Sequence, residues 1–105
     1  MDLAELAGAL NVFAALDPTV FQLHHAQLFV EVAIRGSCTY AELEKELNLT
    51  SGSVSRSVTA LSEVNRYGGK GYKLLETYKD PDEPRRYRVR LSAKGKALLK
   101  QLPEA

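Results

Sequence analysis

Apolar side chains recur at three- and four-residue steps in Leu3, Leu6, Ala7, Leu10, Phe13 and Ala14, which predicts a helix over residues 2–16. Asp17-Pro18 stops it. A second helix is expected from about Pro18 or Thr19 to Arg35. Val20, Phe21, Leu28, Phe29, Val32 and Ala33 are its core candidates, and Gly36 its C-cap. Residues 37–38 read as a turn. Thr39 and Glu42 then have the spacing of a capping box, opening a short third helix over residues 40–47 with Leu43 and Leu47 on one face. Asn48-Leu49 makes a tight turn. Thr50 or Ser51 caps a fourth helix running to about residue 65, with Val54, Val58 and Leu61 at i, i+4 and i+7. Two short helices joined by such a turn make a helix-turn-helix unit over residues 39–65.

Beyond the glycine-rich stretch Tyr67-Gly68-Gly69-Lys70-Gly71 the period changes to two. In Arg86-Tyr87-Arg88-Val89-Arg90-Leu91 every second residue is arginine, the pattern of a half-buried strand with one basic face. Its expected partner is residues 72–79, so that residues 72–91 form a hairpin, or wing, around the tip Asp80-Pro81-Asp82-Glu83-Pro84. Ser92 caps a last helix over residues 93–102, with Ala97, Leu98 and Leu102 apolar. The expected fold is mainly α with a small β-hairpin, a winged helix-turn-helix forming one domain over residues 1–105.

Composition narrows the class. At 45% apolar and 26% charged residues the chain reads as globular rather than disordered. It contains no apolar run near the ~20 residues that cross a bilayer, and its first residues lack a basic n-region, so neither membrane nor cleaved leader is expected. The single cysteine, Cys38, has no disulfide or C-x-x-C partner; a reducing cytoplasm and an inert packing role are expected. His24 and His25 are adjacent, so their side chains diverge by ~100° on a helix and lack the i, i+4 spacing of a metal pair. Catalytic, metal and cofactor sites are not expected.

Charge is what points to a partner. The net charge is only +1, yet residues 1–50 carry two basic against seven acidic side chains, and residues 51–105 twelve against six. With Val54, Val58 and Leu61 facing inward, the fourth helix turns Gly52, Arg56, Thr59 and Glu63 outward, flanked by Ser53, Ser55 and Ala60. Small residues allow close approach to a major groove, hydroxyls meet phosphates and base edges, and Arg56 can fork onto a guanine. Ser51 and its neighbours add free backbone N–H groups at the helix N-terminus. A serine-rich capped helix solvated on one side has the same appearance. On the wing, Lys79, Arg85, Arg86 and Arg88 are the candidate phosphate and minor-groove contacts. The bland alternative is that the strand arginines pair with Glu76, Asp80, Asp82 or Glu83.

Four segments resemble the MarR family: Thr39-Tyr40-Ala41-Glu42-Leu43, Leu49-Thr50-Ser51-Gly52-Ser53-Val54-Ser55-Arg56, Asp80-Pro81-Asp82-Glu83-Pro84-Arg85-Arg86 and Leu91-Ser92-Ala93-Lys94-Gly95. The resemblance covers residues 22–102 and implies a homodimeric regulator of transcription on double-stranded DNA. It implies a recognition role for Ser53, Ser55 and Arg56 and a minor-groove role for Arg85. The family's wing commonly has an aspartate two residues before that arginine; here Glu83 stands there, followed by Pro84, and a similar pairing is expected. Family members commonly continue into a long C-terminal helix that builds the dimer and a ligand pocket. For this sequence a dimer is expected to rest on the helix at 2–16, the final helix or both, and a small-molecule effector is not expected. The competing reading is a winged-helix accessory or protein-interaction module, for example in replication or recombination.

Overall fold

The computed structural model describes residues 2–16, 21–62 and 71–103. Its elements in chain order are α1 (Leu3–Ala14), α2 (Leu23–Arg35), β1 (Ser37–Thr39), α3 (Tyr40–Leu47), α4 (Ser51–Leu61), β2 (Leu75–Lys79), β3 (Tyr87–Leu91) and α5 (Ala93–Leu99). The fold is a winged helix, mainly α, and its sheet has three antiparallel strands in the order β1-β3-β2.

The caps set the helix starts. The Asp2 carboxylate accepts the Glu5 N–H at 2.7 Å, Thr39 Oγ1 accepts that of Glu42 at 3.2 Å, and Thr50 Oγ1 that of Ser53 at 3.1 Å. Thr50, not Ser51, is therefore the cap of α4. Each such bond satisfies an orphan donor of a first turn and is worth about 1 kcal/mol. At the other ends, Gly36 closes α2 with φ at 78° and Asn48 closes α3 with φ at 53°. Both are residue types that tolerate the left-handed region.

Several boundaries differ from the periodicity, and those of β1, the end of α4 and the start of β2 do so because of bonds to distant residues. Residues 37–38 are strand, not turn: Ser37, Cys38 and Thr39 pair with Arg90, Val89 and Arg88. Helix α2 begins at Leu23; Phe21 and Gln22 precede it, and Gln22 is extended, with ψ at 153°. The expected start at Pro18 or Thr19 lies outside the described residues. Helix α4 ends at Leu61, because the chain entering the wing caps it. The N–H groups of Tyr72, Lys73 and Leu74 donate to the carbonyls of Ala60, Ser62 and Leu61 at 3.0, 2.8 and 2.7 Å. That use of residues 72–74 also delays β2 to Leu75. Residues 63–65, expected to be helical, lie outside the described residues. Arg86 is in the wing loop rather than in β3. Helix α5 stops at Leu99, three residues before the expected end.

One core joins these parts. Leu28, Phe29 and Val32 of α2 meet Leu43 of α3, Val54, Val58 and Leu61 of α4, and Cys38, Leu74, Leu75 and Val89 at the sheet, all 0–1% exposed. Burying each large aliphatic or aromatic side chain contributes about 1.5–3 kcal/mol. Phe13 extends the core to α1, stacked on Phe21 and edge-on to Phe29 with centroids 5.7 Å away in each case. The rest of α1's apolar stripe is unburied: Leu3, Leu6 and Leu10 are 83%, 43% and 48% exposed. Ala97 and Ala14 also face solvent, contrary to their periodicity, whereas Ala26 is buried.

The junction between β3 and α5 is tight. Ser92 Oγ accepts the Gly95 N–H at 3.0 Å and donates to the Lys73 carbonyl at 2.5 Å, while the Ser92 N–H reaches the Leu74 carbonyl at 3.0 Å. Gly95 packs onto that same Leu74 carbonyl, leaving no room for a Cβ. Intrinsic helix propensity favours alanine over glycine by about 0.8–1.0 kcal/mol. The clash with backbone reverses the sign here. Gly95→Ala is expected to destabilise the protein by about 1–3 kcal/mol in urea unfolding; stabilisation would show that α5 shifts freely on the sheet.

Candidate nucleic-acid interface

The N-terminal turn of α4 is built from small residues. Ser51, Ser55 and Arg56 are exposed, and Gly52, Ser53 and Thr59 half-buried. The Arg56 side chain folds back along this turn. Its Nη2 lies 3.5 Å from Ser53 Oγ, and its Nη1 only 3.0 Å from where a Cβ on Gly52 would be. Glycine at position 52 therefore leaves the guanidinium its seat. Thr59 Oγ1 donates to the Ser55 carbonyl at 2.9 Å, which leaves its lone pairs to accept. Ser57, on the inward face, is 1% exposed, and its hydroxyl has no partner among the described residues.

The wing loop is shaped by Asp80. One carboxylate oxygen accepts the N–H groups of Asp82 and Glu83 at 2.8 and 3.3 Å, and the other lies 3.3 Å from Arg88. These donors hold the carboxyl below the usual carboxylate range, against the opposing effect of burial. The Asp80 N–H donates to the Arg86 carbonyl and the Arg86 N–H to the Glu83 carbonyl, both at 2.8 Å, closing the loop. Lys79, Arg85 and Arg86 are exposed around it.

The expected row of strand arginines is not a uniform basic face. Arg90 pairs with Glu76 at 2.7 Å and lies over the Tyr78 ring, 4.4 Å from its centroid. Arg88 turns toward Asp80 and Ser37 instead of outward. The pairing of Glu83 with Arg85 is not among the ion pairs of the described residues; the acid of the wing loop that pairs with an arginine is Asp80, with Arg88. Arg56, Arg85 and Arg86 make no ion pair with another described residue. Asp80 itself was legible as a turn residue, since an aspartate before Pro-Asp accepts amides two and three residues on. Its pairing with Arg88, eight residues away, needed the strand register.

A second charged group ties α2 to α3. Arg35 donates to Glu31 at 2.9 Å, Glu42 at 3.1 Å and Glu46 at 3.4 Å. Glu42 titrates below the usual range because the Thr39 backbone N–H and hydroxyl bond its carboxylate and Arg35 and Arg88 lie near. Much of the acidic charge in the first half of the chain is thus spent on internal pairs.

The remaining chemistry-bearing residues are packed away. Cys38 is fully buried, and burial pushes its thiol up to about 11, so little thiolate forms near neutrality. The rings of His24 and His25, expected to diverge, meet edge to face at 4.6 Å. His25 Nδ1 accepts the Gln22 N–H at 3.4 Å at the start of α2. Among the described residues no group of three or more His, Cys, Asp or Glu is placed to hold a metal ion, and no helix is long and apolar enough to cross a membrane.

No family model and no curated protein matches the chain. Solved structures do. Mutant MarR from E. coli complexed with operator DNA superposes with a TM-score of 0.68 at 18% identity, over 94% of this chain and 65% of that one. RV1404 from Mycobacterium tuberculosis gives 0.73 at 18% identity, over 93% and 61%. A MepR mutant from S. aureus bound to an oligodeoxyribonucleotide gives 0.69 at 17% identity, over 94% and 67%. The chain spans 61–65% of the length of the first two. Its fold is the MarR-type winged helix.

Burial first, and the neighbouring His24 second, lower the His25 pKa from 6.5 to about 4. A histidine whose folded pKa lies below its unfolded value leaves stability flat above pH 6.5 and lowers it as pH falls toward 4, where only the unfolded chain takes up the proton. The expected loss is on the order of 3 kcal/mol across that window. Urea unfolding at pH 7 and pH 4.5 should show it in the native chain and much less of it in His25→Gln; an equal loss in both would place the acid sensitivity elsewhere.

Proposed function

We propose that this chain binds double-stranded DNA as a transcriptional regulator in the cytoplasm, with α4 in the major groove and the wing on the minor groove and phosphates. The observation that carries this reading is the fate of the cations. Arg35, Arg88 and Arg90 are matched by carboxylates, while Arg56, Arg85 and Arg86 are left without one among the described residues. Those three stand at the two places where a winged helix meets a duplex. Ser51, Gly52, Ser53, Ser55 and Thr59 supply the small, hydroxylated surface around Arg56, and Lys79 stands at the end of β2 beside the wing loop. Two proteins of the same fold are complexed with operator DNA or bound to an oligodeoxyribonucleotide, which supports the same use here.

The chain acts as a homodimer in this reading. Leu6 and Leu10 of α1, Val30 and Ile34 of α2, and Leu99 and Leu102 line an open apolar groove of about 970 Å³. Contiguous exposed apolar surface of this kind marks an interface. The groove is assigned to a second copy of the chain rather than to a small molecule, since one recognition helix gives little specificity and paired half-sites need a dimer.

Selection of bound sequences from a random duplex pool tests the function. A regulator should enrich a palindrome with half-sites about one helical turn apart and prefer it at least ~10³-fold over random duplex. Weak, unselective binding would favour a replication or recombination accessory, and no binding an interaction module. Arg56→Ala should change the preferred base at a cost of about 1–3 kcal/mol. Arg85→Ala and Arg86→Ala should weaken binding to every sequence and each lower the log–log salt slope by roughly 0.9. Unchanged affinity and specificity in all three would remove both groove assignments. Leu6→Glu with Leu10→Glu should give a monomer by sedimentation; a dimer that survives them would move the interface away from α1.

A further inference from the structure

Arg88 lies in β3, and its guanidinium is held by three parts of the fold. Nε donates to Ser37 Oγ at 2.9 Å, Nη1 to Asp80 Oδ2 at 3.3 Å, and Nη2 to the Ser37 carbonyl at 3.4 Å. Glu42 Oε1 is 3.9 Å from Nη2, and the Tyr78 hydroxyl hydrogen-bonds Ser37 Oγ. Asp80 shapes the wing loop through its bonds to the Asp82 and Glu83 amides. Ser37 belongs to β1. Glu42 sits in the first turn of α3, where the same Oε1 accepts the Thr39 N–H at 2.9 Å while Oε2 receives Arg35 at 3.1 Å. Wing loop, sheet edge and helix-turn-helix therefore meet on one planar, multidentate donor, a task to which a guanidinium is suited and an ammonium is not.

We propose that Arg88 is a positioning residue: it fixes the wing loop against α3, and so sets where Arg85 and Arg86 stand relative to α4, without contacting a phosphate itself. This rests on the DNA-binding reading above. The Arg88 side chain is 25% exposed and that of Asp80 only 7%. Swinging the guanidinium out to a phosphate would leave the Asp80 carboxylate with a cation lost and little water in exchange. Past the Thr39–Arg88 pair β1 no longer supports the wing, which continues as two strands only, and a two-stranded ribbon is a weak and easily twisted element when nothing braces it. The link from Asp80 through Arg88 to Glu42 extends the bracing of the β1–β3 ladder out to the wing loop, and it reaches the helix that packs on α4.

Arg88→Met and Asp80→Asn test this with two readouts. In the free protein, exchange of the Asp80 and Arg86 amides, both bonded inside the loop, should accelerate in both variants; unchanged exchange would overturn the proposal whether or not DNA is bound. With an enriched duplex, both variants should lose affinity by roughly 3- to 30-fold, the range of coupling through an intermediate group, with the native salt slope retained. A direct phosphate contact gives the opposite pattern. Arg88→Met would then lower the slope by ~0.9, and Asp80→Asn, by freeing the guanidinium, would tighten binding. Should Arg88→Met fail to fold, Arg88→Lys, which keeps the charge but not the fork, carries the same readouts. If the native chain binds no duplex, the functional reading fails, and the exchange experiment then decides only whether Arg88 orders the wing loop.

Discussion

The wing is attached to the helices through a three-residue ladder in which Ser37, Cys38 and Thr39 pair with Arg90, Val89 and Arg88. Its residues serve two elements at once. Thr39 ends β1 and its hydroxyl caps α3, so strand and helix share a residue and neither shifts without the other. Cys38 and its partner Val89 are fully buried, which fixes the ladder's register by the same apolar contacts that hold α2 against the sheet. A slip of one residue would drive Arg88 or Arg90 into the core.

That register decides the electrostatics of the wing. Because Glu76 is opposite Arg90 across β2 and β3, the two form an ion pair, and both are half exposed, so the pair adds little stability. Its effect is to remove a free cation from the sheet face. Arg88, next on the same face, is drawn to Asp80 at the wing loop and to Ser37 at β1. Basic charge that alternates evenly in the sequence is therefore unequal in the fold. It is neutralised along the strand and left available at Arg85 and Arg86, which make no ion pair among the described residues.

The capping of α4 is a second dependence of one element on a distant one. Carbonyls at the end of this helix receive the amides of Tyr72, Lys73 and Leu74, so the segment leading into β2 is also the helix's stop. Gly71 makes this approach possible: it packs onto the Ser62 carbonyl with no room for a Cβ. The role of this last glycine of the glycine-rich stretch thus has a physical account, close approach of backbone to a helix end. At the opposite side of the molecule, α1 is anchored by Phe13 alone among its buried residues and carries the apolar surface assigned to a second copy.

Local chemistry was enough for much of this. The capping pairs Thr39 with Glu42 and Ser92 with Gly95, the αL-tolerant Gly36 and Asn48, and the stripe Val54, Val58, Leu61 each act within a few residues, so the five helices and the wing strands were legible in the sequence. Of the residues expected outward on α4, Arg56 and its flanking Ser55 are exposed, while Gly52 and Thr59 are half-buried, because neighbouring elements cover part of the face opposite the stripe. What pairs across long separations was not legible. Ser37-Cys38-Thr39 is too short to carry a period, and becomes a strand only because β3 supplies its partners. The C-terminal end of α4 and the start of β2 were set by bonds between residues ten or more apart. The sequence by itself determined a helix-turn-helix followed by a basic hairpin. Only the tertiary structure decided which arginines of that hairpin pair with a described carboxylate, because ion pairing depends on distances of a few ångströms between residues that the chain order keeps far apart.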